Sequence, residues 1–394
     1  MTSIRMGVFV AACLVWLPLA TAQEAPPAPI EATMTMSTAT KGSQLHTTQL
    51  FPVDAAGKLI GEGDVNAQAR AVVANLSNVC SVAKVRLGDI VKVNAFVTNP
   101  EIVPAVRKEL GTINAAYCVV LQKELPLPGA MVALDAVATI EAPDAAAVSH
   151  IKASAIHGMP GRAHAAVLPA GRTVYISGQA EDDPVLGVAT AKSLDSLLKT
   201  LAWLGLDKSH VVNVKTFTKP MAAIGDVNAA IDIFFEGKTP AVIHTEWMNT
   251  SPAIEIEMVA FAPPGTATQA TGPIAYLTPP GMTESPVYSK VTVIENAGTT
   301  YLSGLVGPPD VTAEEQIHHI FRAMSTGLAT VNASMTDLVK ATYYCVTEES
   351  STKLGEIRPQ YYDPKRPPAA SRSLVAGSGI GAESIVVDMI VLKK

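Results

Sequence analysis

Cysteine is scarce in this chain, with 4 in 394 residues, and so are aromatic side chains at 5% and charged ones at 16%. The four cysteines, at 13, 80, 118 and 345, lie far apart. That spacing excludes a disulfide framework and a cysteine zinc site, and it predicts buried free thiols. With so few aromatics, the cores must be built from Val, Ala, Leu and Ile. Basic runs are also missing, and the formal net charge is −6. Non-specific nucleic-acid binding depends on Lys and Arg neutralising phosphates, so this composition argues against it. No Gly-rich phosphate loop occurs. His164, His244, His318 and His319 show no metal-ligand spacing, so no metal, nucleotide or organic cofactor is expected.

What the chain has in quantity is apolar residues, 48% of the total, enough for two or three cores. One long apolar run, Met6 to Leu19, follows Arg5 and precedes Ala20-Thr21-Ala22. A positive start, a short apolar core and a small-x-small site read as a cleaved signal peptide over 1–22. The run is short for a membrane anchor and contains Pro18. The mature protein is therefore expected to be periplasmic or secreted and free of the membrane.

The rest repeats at a period of about 120 residues. Ala69, Val72, Val73, Leu76 and Val79 recur at helical spacing, as do Leu194, Leu197, Leu198, Leu201 and Leu204, and then Ile317, Ile320, Phe321, Met324 and Leu328. A β-branched run follows each helix, over 89–97, 210–217 and 337–346. Another strand closes each unit, over 132–138, 254–261 and 385–391. Pro-rich or Ala-rich joints separate the units. The expected organisation is a Pro-rich leader over 23–34 and domains over 35–142, 152–263 and 274–394, an ordinary domain size. Glu255 and Glu257 alternate with isoleucine, so both carboxylates project from one face of their strand.

Several in-order segments resemble the RidA/YjgF family, the reactive imine and enamine deaminases also called L-PSP proteins. In the first unit they are Phe51-Pro-Val-Asp54 and Gly61 to Arg70. In the second they are Val174 to Gln179, Asp226 to Phe235, Thr239 to Val242 and Ile254 to Glu257. In the third they are Val287-Tyr-Ser289, Tyr301 to Gly304 and Pro368 to Ser373. The resemblance spans nearly all of the chain after residue 22. It implies an α/β (α+β) fold: three tandem YjgF-like, chorismate-mutase-like domains, each a mixed sheet with two helices on one face. Family members are typically homotrimers with ligand clefts between subunits, so three copies in one chain imply a single-chain pseudo-trimer. A closed ring leaves no unit with an exposed interface.

The resemblance also implies hydrolysis of 2-imino acids, tautomers of 2-enamino acids, to 2-keto acids and ammonia. Their carboxylate needs a planar, permanently charged partner, which arginine supplies. Arg372 matches the family's arginine, Tyr288 its cleft tyrosine, and Ser303 and Gly304 its Ser-Gly turn; these are the expected substrate-binding residues. The family's last strand carries two alternate glutamates. In the third unit these positions read Val386 and Asp388, so Asp388 is the expected partner of Arg372 in catalysis. The second unit has Val242 at the arginine's place and His164 at the tyrosine's. The first has Ala116 or Tyr117 for the arginine and Thr48 for the serine. One residual inter-domain cleft, at Arg372, is expected to take a small 2-imino or 2-keto acid. The alternatives are a non-catalytic pseudo-trimer that binds a small carboxylate or is purely structural, and an endoribonuclease, which the acidic composition disfavours.

Overall fold

A computed structural model describes residues 34–39, 42–140, 146–158, 161–249, 251–267, 269–295 and 298–393. The segments expected to be a signal peptide, residues 1–22, and a Pro-rich leader, apart from Met34, lie outside the described residues.

Each unit begins its main body with an 18-residue helix: Val65–Val82, Leu186–Trp203 and Ala313–Thr330. The first is capped by Asp64, whose carboxylate accepts from the amides of Asn66 and Ala67. The third opens with Thr312 and Glu315 in a reciprocal capping box. The second ends at Gly205, whose φ of +75° suits the left-handed stop expected of it. The apolar stripes read from the sequence are the buried faces: Val72, Leu76, Leu194, Leu197, Ile320 and Phe321 are fully enclosed. Truncating one of them, such as Leu197→Ala, would cost about 2–5 kcal/mol.

A central strand follows each helix: Ile90–Val97, Val211–Thr218 and Leu338–Cys345. A shorter helix comes next (Ile102–Leu110, Ile224–Phe234 and Glu348–Ile357). It returns the chain to a strand that pairs in parallel with the central one: Ala116–Leu121, Ala241–Glu246 and Ala369–Leu374. The closing strands, Val132–Ile140, Ile254–Ala262 and Ile385–Leu392, pair antiparallel on the other side. The result is three mixed sheets with two helices packed on each.

The sheets also exchange strands. Ser43–Thr47 of the first unit pairs with Ala165–Leu168 of the second, and Arg172–Gln179 of the second pairs with Val291–Ile294 of the third. Thr299–Leu302 of the third pairs with Met36–Ala39 of the first. Backbone hydrogen bonding therefore closes a ring of three units in one chain, the pseudo-trimer that the repeats imply.

Where the three sheets meet, charged residues are buried in pairs that tie one unit to another. Lys92 Nζ lies 2.6 Å from Asp388 Oδ1, and Lys340 Nζ lies 2.6 Å from Glu257 Oε2. Lys215 Nζ donates to the Tyr344 hydroxyl. Asp135 accepts from Asn94 Nδ2 at 2.9 Å, and its Oδ2 has no partner. Burial pushes the Asp135 carboxyl up to about 6. Removing one member of such a buried pair strands the other charge, which typically costs about 3–5 kcal/mol. Cys80, Cys118 and Cys345 are buried free thiols, as expected from their spacing.

Candidate active site

The ladder registers fix which residues correspond between units. Asp388, Glu257 and Asp135 face Thr342, Lys215 and Asn94 on the central strands. Two residues earlier on those strands, Lys340, Asn213 and Lys92 pair in parallel with Ala369, Ala241 and Ala116. Three residues beyond these alanines stand Arg372, His244 and Val119. The counterparts of Arg372 are therefore His244 and Val119, which corrects the expected Val242 and Ala116 or Tyr117. Ladder hydrogen bonds set the register, and the distance from the preceding proline does not follow it. Likewise, Ala165 and Val291 occupy matching places opposite Thr47 and Ile176, so His164 corresponds to Lys290 and not to Tyr288.

Arg372 and Tyr288 line one cleft of about 260 Å³ between the second and third units, together with Gly178, Trp247, Glu255 and Arg358. The Arg372 guanidinium is exposed on its strand and donates from one nitrogen to the Ser351 carbonyl at 3.1 Å. Its remaining N–H groups are available to a planar anion. Tyr288 carries Lys290 over its ring, with Nζ 4.4 Å from the centroid and bonded to the hydroxyl.

Ser303, Gly304 and Asp388 are not in this cleft. Ser303 and Gly304 line a separate cleft against the first unit, where Gly304 N donates to Tyr117 O at 3.0 Å. Asp388 is held by Lys92 at the centre of the ring. The turn that faces Arg372 belongs to the second unit: Ala370 N donates to Ser177 Oγ at 2.7 Å, and Gly178 N to Ser371 Oγ at 3.2 Å. Each unit's turn is thus presented to the parallel-paired strand of a neighbour.

Glu255 is the residue that reasoning within a single unit missed. It lies two positions before Glu257 on the same face, so Glu257 reaches the central cluster while Glu255 reaches the Arg372 cleft. Burial and the neighbouring Glu257 push its carboxyl up to about 7, against the pull of Lys340, Ser371 and Arg372. Glu257 moves the other way: burial alone would raise it, but Lys340 and then Lys215 hold it below its ordinary range. Space for the Glu255 carboxyl exists because residue 178 is glycine. A Cβ there would lie 2.0 Å from Glu255 Oε1. Glu255 Oε1, Trp247 Nε1 and Arg358 Nε are all enclosed without a hydrogen-bond partner, an unusual concentration for one cleft. The alternation of Glu255 and Glu257 was the available signal; what could not be read was that Glu255 would line the cleft of the next unit's arginine.

The arrangement offers a cation for a carboxylate, a carboxyl that exchanges its proton near neutral pH, and unpaired polar groups around both. Among the described residues no group of three or more His, Cys, Asp or Glu side chains is placed to hold a metal ion.

Comparison with known proteins agrees with the fold. The family model described as Endoribonuclease L-PSP matches residues 27–140 and 159–263, more than half of the chain. The chain belongs to this family, the RidA/YjgF proteins. The third sheet repeats the strand order of the other two in the remaining C-terminal part. Similar solved structures include the Rid-family protein YyfB from Yersinia pestis, 26% identical over 26% of this chain and 80% of that one, with a TM-score of 0.24. A YjgF-family member from Neisseria meningitidis is 20% identical over 31% and 95%, with a TM-score of 0.23. RidA from an Antarctic Psychrobacter is 19% identical over 24% and 80%, with a TM-score of 0.22. Membership rests on the family match and not on these scores. The search of curated proteins returns no match.

Proposed function

We propose that the chain is a 2-imino/2-enamino acid deaminase with one composite site, in which the third unit supplies Arg372 and the second supplies Glu255. The observation that carries this reading is that these two side chains line the same cleft although neither unit holds both. Arg372 pairs with the substrate carboxylate. That fixes the imine carbon, already electrophilic, near Glu255. As a carboxylate, Glu255 takes a proton from water as its oxygen bonds to that carbon. It passes that proton to the imine nitrogen, giving a carbinolamine, and then moves the carbinolamine hydroxyl proton to the amino nitrogen as the C–N bond breaks and the C=O bond forms, leaving a 2-keto acid and ammonia. A carboxyl near 7 is matched to both transfers at neutral pH. No cofactor takes part in these steps.

The test generates 2-aminoacrylate and 2-iminobutyrate in situ with purified protein. Hydrolysis above the spontaneous rate, reduced by about 100-fold or more in Arg372→Ala, is the expected result. No acceleration by wild-type protein would discard catalysis and leave a carboxylate-binding pseudo-trimer. RNA incubated in parallel should stay intact. We further propose export through residues 1–22, to be checked by the intact mass of protein recovered outside the cytoplasm.

A further inference from the structure

The cleft between the third and first units is the largest of the three, about 620 Å³. Its strand position equivalent to Arg372 is Val119, and its position equivalent to Glu255 is Val386, two residues before Asp388. By those two positions it should be inert. Yet a different element brings a cation to it. Arg107, on the helix Ile102–Leu110, lies with its guanidinium carbon 4.6 Å from the centroid of the Tyr117 ring. That side chain is exposed and makes no hydrogen bond or ion pair among the described residues. Stacking on an aromatic face holds a guanidinium in place while leaving its N–H edge free. Tyr117 lines the same cleft, and its hydroxyl is enclosed with no hydrogen-bond partner. An orphan buried hydroxyl is uncommon in a native fold and is explained when a ligand or water completes it. Ser303 Oγ accepts from Thr35 N at 3.1 Å, which leaves its own proton to donate. Among the described residues the rest of the wall is mainly apolar, from Ile113, Val119, Val306, Ile380 and Val386, with Asn114 as a polar exception, and no acidic side chain lines the cleft.

From this geometry we infer a second ligand site, built on Arg107 and Tyr117, that binds a carboxylate with a bulky apolar tail and does not hydrolyse it. The guanidinium takes the carboxylate and the two hydroxyls donate to it. The apolar wall takes the tail, and the valine at the glutamate's place leaves no group to activate water. The volume suits a ligand larger than one the Arg372 cleft admits. This site uses a different cation from the proposed catalytic one, so either can fail without the other.

Calorimetry with the full chain tests it, using 2-naphthoate as probe and 2-naphthamide as its uncharged analogue. In an Arg372→Ala background, 2-naphthoate should still bind with a stoichiometry near one. Adding Arg107→Ala should weaken it by at least about tenfold, and Tyr117→Phe by a few-fold. The amide should bind at least about tenfold more weakly than the acid. Arg107 is exposed, so its removal leaves the fold intact, and circular dichroism confirms this for each variant. Absence of binding to Arg372→Ala protein, equal affinity after loss of Arg107, or equal affinity for acid and amide would each overturn the assignment.

Discussion

The cleft between the second and third units and the cleft between the first and second are built alike and furnished oppositely. In the former, Arg372 stands exposed, a carboxyl lies beside it, and the facing turn ends in Gly178. In the latter, the same three places hold His244, Ala133 and Gln49. His244 is buried and already engaged: Nδ1 is 2.8 Å from Thr216 Oγ1 and Nε2 is 2.9 Å from Asn228 Oδ1. Burial, and secondarily Arg162, lower it to about 3, so it stays neutral and offers a carboxylate no charge. The Gln49 amide bonds the His244 backbone on both sides, donating to its carbonyl at 3.0 Å and accepting from its N–H at 3.2 Å. Arg162 is taken up by Asp232 and Asn228. Among the described residues lining this cleft, no buried polar side-chain atom lacks a partner, whereas three do around Arg372. One cleft has closed its polar groups upon itself as an interface; the other keeps them open. A fused trimer permits this division because each cleft can change without changing the other two.

The sharpest way to break the comparison is Glu255→Gln. If the open cleft works as proposed, imine hydrolysis should fall by about 100-fold or more. The wild-type rate should rise with pH through about 7, where the Glu255 carboxyl loses its proton, and the variant should lose that limb. A full rate in the variant would remove Glu255 from the chemistry.

Gly178→Ala should come next. The added methyl would displace the Glu255 carboxyl, since 2.0 Å is far inside contact distance. A shift of about 1 Å in a catalytic group can cost about 100-fold in rate, so a loss of about tenfold to 100-fold is expected, with stability little changed. The matching change in the closed cleft, Gln49→Ala, should show the reverse pattern: lower stability and an unchanged rate.

His244→Ala sharpens the same contrast from the closed side. It leaves Thr216 and Asn228 without their partner and opens a cavity. A loss of about 2 kcal/mol in unfolding free energy is expected from urea titration, again without effect on hydrolysis. A fall in hydrolysis would mean that the first cleft contributes to the reaction.

Much of the architecture was legible because it is written three times. The helix stripes, the β-branched runs and the Pro-rich joints recur, and a buried face must show its period in sequence. The site was legible only in part. Arg372 and Tyr288 stand in motifs and share a cleft. Ser303 and Gly304 also stand in a motif, but closure of the ring presents that turn to the first unit. Which turn meets which strand depends on the direction in which the chain closes its ring, and no segment encodes that locally. His244 was hidden for a related reason: the parallel pairing of Ala241–Glu246 sets its level. Asp388 matched a functional position by spacing, yet Lys92, nearly 300 residues away, claims its charge.

The smallest expected effect concerns stability against pH. The Glu255 carboxyl is raised from 4.5 to about 7 in the folded protein, so the folded state holds a proton that the unfolded chain releases more easily. Below about pH 4.5 both states are protonated and this group exacts no penalty. As pH rises from 4.5 to about 7 the unfolded chain ionises first, and stability falls; above about 7 both are ionised and the loss is constant. Asp135, raised from 3.8 to about 6, adds a slope of the same sign over its own range. The two are separated by difference: Asp135 titrates alike in wild-type protein and in Glu255→Gln, so its slope cancels, and wild type minus variant should keep a slope up to about pH 7. The closed cleft offers no comparable carboxyl, since Ala133 stands at that place, so the residual slope belongs to the open one. A difference curve flat across that interval would mean that Glu255 is as well solvated in the folded protein as in the unfolded chain. The contrast between the two clefts would then rest on Arg372 alone.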